Sequence, residues 1–288
     1  MTRLFIAIAL CLSVQTVMAQ QLDYENGQFS FAGTTLPYRI AETGNGSMKE
    51  LAIFLHGGSA CGDDNEAQLT AFLATNIEAH LRNSGRQFTI FVPQCPKGRV
   101  WSESSTNEAS MSIILRNAIN SIVESHGINS SRIYIFGASA GGTGSWRMLS
   151  ENPNFFAAAL ISPGSPKGLD YYAIATTPVH CVLSKADKVV KIENSLPYIT
   201  EIQALPSAQI SVDVWENTDH QTTCINAFTD DAMKRVLANE KSAVNSVEQD
   251  EITEIRRYNI LGERIPAPIK GINIIQYSNG TTKKVLIP

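Results

Sequence analysis

Three residues have the types and the chain order that nucleophilic acyl transfer demands: a serine, then an acid, then a histidine. Ser139 lies in "GASAG", a G-x-S-x-G pattern between the apolar run "RIYIF" and the helical stretch "GGTGSWRMLSENPN". A serine hydroxyl attacks a carbonyl when a histidine takes its proton, a carboxylate orients that histidine, and backbone N–H groups receive the oxyanion. A tight strand-to-helix turn flanked by glycines is what holds such a hydroxyl up for attack. The bland alternative is a serine that merely sits in a glycine turn.

His220, in "ENTDHQTTC", stands beyond the last apolar run and is the candidate base. Asp187, in "LSKADKVV", just past an earlier run, is the candidate acid. Asp213 and Asp219 compete for that role. Asp213 falls inside a predicted strand, however, and Asp219, adjacent to His220, cannot easily fold back on its ring. For the oxyanion, "FLHGGSACG" ends a run in His56-Gly57-Gly58, and the N–H groups of Gly58 and Ala140 are the candidate pair. His56, His80, His126 and His180 read as structural.

These residues need a scaffold, and the hydrophobic pattern supplies one. "ELAIFLHGG", "QFTIFVPQC", "RIYIFGAS", "FAAALISPG", "VHCVLSKAD" and "ISVDVWENTDH" are short apolar runs that end in Gly, Pro, Asp or other loop residues. They read as buried strands of a mostly parallel sheet. Between them "NEAQLTAFLATNIEAHLRN", "NEASMSIILRNAINSIVESHG" and "IENSLPYITEIQAL" read as helices, the second striped by Met111, Ile114, Leu115, Ala118, Ile119 and Ile122. "GQFSFAGTTLPYRIAET" reads as an antiparallel lead-in, and "TDDAMKRVLANE" as a closing helix. Alternating strands and helices predict an α/β layered sheet, with ligands beyond the carboxyl ends of the strands.

The 288 residues are 43% hydrophobic and 17% charged with a net charge of -4, which argues against a nucleic-acid partner. "MTRLFIAIALCLSVQTVMAQQ" has the Arg3, apolar run and small residues of an export signal cleaved after Ala19. The run is shorter than the ~20 residues a membrane anchor needs. The four cysteines beyond that signal, Cys61, Cys95, Cys181 and Cys224, permit two disulfides in an oxidising compartment, or stand as four free thiols. The expected organisation is a signal peptide over 1–19, a catalytic domain over 20–239, a polar linker over 240–250 and a small β module over 251–288.

The blocks "FLHGGSACGDDNEAQL", "FVPQCPKGRVWS", "SRIYIFGASAGGTGSWRMLSENPNFFAAALISPG", "KADKVVKIENS" and "TDHQTTC" resemble the α/β-hydrolase superfamily. Within it they are similar to bacterial secreted esterases near the dienelactone hydrolases and the feruloyl and acetyl-xylan esterases, a group often labelled predicted peptidase or phospholipase. The resemblance implies an α/β-hydrolase fold with Ser139, Asp187 and His220 as the triad. It further implies Gly58 and Ala140 as the oxyanion hole, Trp101 as a wall of the acyl or sugar site, and no metal or organic cofactor. In that fold the strands leading to Cys61 and Cys95 are neighbours, as are those leading to Cys181 and Cys224, which implies those two pairings. The chain carries "GGSACG" where relatives often have a charged pair. The segment "SPGSPKGLDYYAIATTP" is too short for a cap domain, so an open site is expected.

"RYNILGERI" followed by "KGINIIQYSNGTTKKVLIP" is similar to the C-terminal sorting domain of type IX secretion cargo in Bacteroidetes bacteria. That resemblance implies partnership with secretion machinery and passage to the cell surface or beyond; a carbohydrate-binding or structural β module is the alternative. The expected function is a secreted serine hydrolase that cleaves carboxylic esters, with acyl groups on carbohydrate as the substrates. A serine peptidase of prolyl-oligopeptidase-like type and a non-catalytic cell-surface binding protein are the other classes, the last of which would tolerate loss of Ser139 or His220.

Overall fold

The structure, a computed structural model, describes residues 22–103, 110–241, 254–260, 262–263, 265–277 and 282–287. The expected export signal and most of the expected linker lie outside the described residues. The chain divides into two units between Glu240 and Lys241.

The first unit opens with a hairpin of β1 (Glu25–Phe31) and β2 (Thr34–Thr43). Ala32 and Gly33, with φ of 47° and 77°, both take the left-handed conformation that lets a two-residue turn follow the strand twist. There follow β3 (Lys49–Leu55), α1 (Ala67–Leu73), α2 (Ile77–Asn83), β4 (Gln87–Pro93), α3 (Met111–His126), β5 (Ile133–Ala138) and α4 (Ala140–Glu151). The unit continues through β6 (Ala158–Ser162), α5 (Tyr171–Ile174), β7 (Val179–Ser184), α6 (Leu196–Gln203), β8 (Ile210–Trp215), α7 (His220–Asn226) and α8 (Asp230–Leu237).

The eight strands form one sheet in the order β1-β2-β4-β3-β5-β6-β7-β8. β2 is antiparallel to β1 and β4, and the remaining pairings are parallel. The central strands are mostly apolar and buried along nearly their whole length because both their faces are covered. Leu51, Ile53 and Leu55 of β3 pack toward Ile119, Trp146 and Ile199. Ala52 and Phe54 pack the other way, toward Phe72, Phe228 and Met233. Each fully buried Leu, Ile or Phe contributes about 1.5–3 kcal/mol. The expected mostly parallel sheet flanked by helices is therefore present.

The predicted stripe of α3 is its buried face, and Gly127 ends that helix in the left-handed conformation, φ 65°. The predicted helix over 65–83 is instead two. Thr75 donates its hydroxyl to Phe72 O at 2.7 Å and accepts from Ile77 N at 3.3 Å, a local bonding pattern that interrupts the first helix and starts the second. α7 was no part of the predicted pattern, because "HQTTCIN" carries too few apolar residues to show a helical period. The segment between β6 and β7 holds only α5 and forms no cap.

The second unit contains β9 (Glu254–Tyr258), β10 (Gly271–Tyr277) and β11 (Thr282–Ile287), an antiparallel sheet in the order β11-β10-β9. Asn273, fully buried, organises it: Oδ1 accepts from Arg257 Nη1 at 3.3 Å and Ile269 N at 3.0 Å, while Nδ2 donates to Ile269 O at 2.7 Å.

Candidate active site

Ser139 occupies the step from β5 into α4 with φ 57° and ψ -120°, a conformation that an L-residue holds only under constraint. The constraint comes from close packing. A Cβ on Gly137 would meet Ser145 Oγ and Gly141 O, and one on Gly141 would meet Leu55 O, so glycine is what lets α4 start this close to β3. Ser139 N donates to Ser162 O at 3.0 Å, which ties the turn to the neighbouring strand.

The structure brings the three candidates from separate strand ends into one chain of hydrogen bonds. Ser139 Oγ lies 2.9 Å from His220 Nε2, and His220 Nδ1 lies 2.8 Å from Asp187 Oδ2. The Asp187 side chain is fully buried, and its other oxygen accepts from Val189 N at 2.8 Å and Val190 N at 2.9 Å. One carboxylate oxygen is thereby anchored to the backbone while the other faces the imidazole. His220 is the first residue of α7, and Asp219 is that helix's N-cap, accepting from Thr222 N at 2.9 Å. Asp213 pairs with His180 instead, at 3.2 Å.

Two buried serines with no motif around them to mark them out steady the segment carrying His220. Ser184 Oγ donates to Thr218 O at 2.5 Å, and Ser162 Oγ to Thr223 O at 3.1 Å.

Gly58 and Ala140 each begin a helix, so their N–H groups have no intrahelical acceptor. They lie side by side, since a Cβ on Gly58 would stand 3.9 Å from that of Ala140. The N-terminus of α4 adds a partial positive charge at the same place. His56, fully buried, locks the loop before Gly58: Nε2 accepts from Cys95 N at 3.0 Å, which leaves Nδ1–H to donate to Gly57 O at 2.7 Å. Burial lowers its pKa from 6.5 to about 4, against the opposing effect of that Gly57 bond, so the ring stays neutral in this role. Gln94 braces the other end of the loop through Ala60 O at 3.2 Å and Asp64 Oδ1 at 2.7 Å.

Trp101 departs from its expected place. It is 1% exposed and lies under the loop, donating Nε1–H to His56 O at 3.1 Å and packing against Gly144. Its bulk fills the layer that α3 and α4 share, not a substrate wall. The expected Cys181–Cys224 pairing also fails, because Cys181 faces one layer of the core and Cys224 packs on the opposite one, with the sheet between them. Cys61 and Cys95 do share a layer, where both stand as free thiols.

A cavity of about 870 Å³ opens beside Ser139 and His220. Phe54, Ala60 and Ala138 form its buried floor. One wall is α1 and the other is α7, which contributes Gln221, Cys224 and Ile225. Cys224 Sγ lies 3.7 Å from His220 Nε2. Burial, reinforced by the Asp187 and Asp219 carboxylates, pushes this thiol up to about 12. Among the described residues, no group of three or more His, Cys, Asp or Glu side chains is placed to hold a metal ion.

No protein-family model matches this chain, and no curated protein does. Solved structures do. A thermostable esterase is 24% identical with a TM-score of 0.66, over 76% of this chain and 63% of that one. The acetyl xylan esterase of Aspergillus awamori is 14% identical with a TM-score of 0.55, over 70% of this chain and 95% of its own. The acylaminoacyl peptidase of Pyrococcus horikoshii is also 14% identical, with a TM-score of 0.53 over 70% of this chain and 38% of that one. The fold is that of the α/β-hydrolases, and at these identities the likeness speaks for the fold alone. This chain spans under two thirds of the thermostable esterase's length.

Proposed function

We propose that this chain is an exported serine hydrolase that cleaves carboxylic esters, acyl groups on carbohydrate among them, through an acyl-enzyme on Ser139. The observation that carries the reading is the chain of 2.9 Å and 2.8 Å contacts from Ser139 through His220 to Asp187 beside two uncommitted N–H groups. In this mechanism Ser139 Oγ bonds to the ester carbon as its proton passes to His220 Nε2. The carbonyl oxygen becomes an oxyanion held by Gly58 N–H and Ala140 N–H. His220 then gives its proton to the leaving alcohol oxygen as the ester C–O bond breaks. Water attacks the acyl-enzyme, delivers a proton to Nε2, and releases the carboxylic acid as Ser139 recovers its own. Asp187 fixes the tautomer throughout.

The carbohydrate assignment draws support from the name of the Aspergillus awamori neighbour and from the open site, which leaves room for a bulky alcohol outside the cavity. Export draws support from residues 1–19 and from the sorting-type motifs in the C-terminal unit.

The test is turnover of p-nitrophenyl acetate, p-nitrophenyl butyrate and methyl ferulate by the protein and its Ser139→Ala variant, with short peptide p-nitroanilides alongside. Ester turnover that disappears in the variant supports the reading. Ser139-dependent cleavage of the anilides alone replaces it with a peptidase, and no Ser139-dependent turnover at all leaves a binding protein. N-terminal sequencing of protein recovered from the cell surface or medium tests export: a mature start at Gln20 is expected.

A further inference from the structure

The α1 wall of the cavity has a composition that the fold does not require. Ala67, Thr70, Ala71 and Ala74 recur at the spacing that lines one face of a helix, and all four border the cavity. The core-facing side of the same helix carries Phe72, fully buried, where a large residue is accommodated. On the cavity side every position is small, so the helix leaves open a volume that larger residues would close.

The lining is uncharged, and Ser59, Thr70, Thr75 and Gln221 are its polar side chains besides Ser139 and His220. Its described residues include no carboxylate, lysine or arginine. Thr75 turns its hydroxyl away, donating to Phe72 O at 2.7 Å. Cys224 remains a neutral thiol across the ordinary pH range. The floor of Phe54, Ala60 and Ala138 presents carbon. At about 870 Å³ the space is near the upper end of small-molecule sites, about 300–1,000 Å³, and far larger than an acetyl group fills.

Resting on the serine-hydrolase reading above, we propose that the cavity between α1 and α7 is the acyl site, and that it selects uncharged apolar acyl groups longer than acetyl. The acyl group is the part that must stay bound to Ser139 after the alcohol has left, so the buried apolar floor of Phe54, Ala60 and Ala138 next to Ser139 suits it. The alcohol takes its proton from His220 Nε2 and leaves for solvent, so it needs no lasting site in the cavity.

The experiment measures kcat/KM for p-nitrophenyl acetate, butyrate and octanoate, and for ethyl, butyl and octyl acetate, with the full chain, two cavity variants and the Ser139→Ala control. In the wild type each methylene added to the acyl chain is expected to raise kcat/KM up to about fourfold, the ratio corresponding to about 0.8 kcal/mol of burial. Ala71→Phe narrows the cavity and should lower the octanoate-to-acetate ratio at least tenfold. Ile225→Ala widens it from the opposite wall and should raise that ratio, which keeps the test informative if the first variant fails to fold.

A flat or falling acyl series would overturn the proposal, as would ratios that ignore both substitutions. So would a chain-length dependence found in the alcohol series instead of the acyl series. Failure of the underlying reading looks different: turnover absent from every ester, or unchanged in Ser139→Ala.

Discussion

The Ser139 hydroxyl stands 2.9 Å from Nε2 of His220 across 81 residues of chain, and the partner that holds this histidine in place, Asp187, has no solvent exposure at its side chain. A serine so placed needs both neighbours. Ser139→Ala and His220→Ala are each expected to lower kcat on the best ester by on the order of 10⁴- to 10⁶-fold. Asp187→Asn should cost about 10⁴-fold, chiefly in kcat, because the amide favours the wrong tautomer while the fold is kept. Steady-state kinetics beside a thermal melt check all three: an Asp187→Asn enzyme of near-normal kcat would remove Asp187 from the mechanism.

Trp101 supports the loop of His56, Gly57 and Gly58 from beneath, so its substitution should act on stability and not on substrate choice. Trp101→Phe loses the Nε1–H bond to His56 O and part of the packing on Gly144. The expected cost is about 1–3 kcal/mol, read from denaturant melts. The relative rates on esters of different acyl length should stay as they were. A changed acyl preference would return Trp101 to the substrate wall.

The buried His56 links stability to pH. Its pKa is about 4 in the folded chain against an ordinary 6.5. Between those values the unfolded chain binds the extra proton, so stability rises with pH there and is fully present above about pH 6.5. Acidifying from pH 7 to pH 4 should remove about 3 kcal/mol through this group. His180, lowered chiefly by burial, contributes in the same direction. Thermal melts over this range, with NMR titration of the His56 ring, provide the check; a ring that titrates near 6.5 would contradict the locked neutral form.

The four cysteines of the main unit should differ in reactivity. Burial raises Cys95 and Cys181 well above the ordinary thiol range, and Cys224 to about 12, while Cys61 is part-exposed. Iodoacetamide at pH 8 should therefore label Cys61 first in the native protein and all four only after denaturation. Peptide mapping without reductant should find no Cys181–Cys224 bridge, since the sheet separates the two thiols.

Much of the candidate site was legible in the sequence because its parts are local. The G-x-S-x-G turn, the "HGG" at the end of β3 and the positions of Asp187 and His220 past strand ends are short patterns with a backbone reason behind each. Buried strands that read as unbroken apolar runs made the parallel sheet legible in the same way. Choosing Asp187 over Asp219 followed from a local argument too, and the structure adds that Asp219 caps the helix on which His220 begins.

What the sequence could not express was which side of the sheet a residue would occupy and what it would meet there. Cys181 lies inside β7 and Cys224 on α7, the helix that follows the neighbouring strand β8, yet one faces each core layer, because the Cys181 side chain points to one face of the sheet and α7 packs on the other. Trp101 carried a motif's expectation, but its depth depended on Gly144 of α4 leaving room for it. The support of His220 by Ser162 and Ser184, the latch of His56 on Cys95, and the open volume beside α1 arise between segments far apart in the chain. Local residue types determined the chemistry available to this protein; packing between distant segments decided where that chemistry sits, what holds it, and how much space it has.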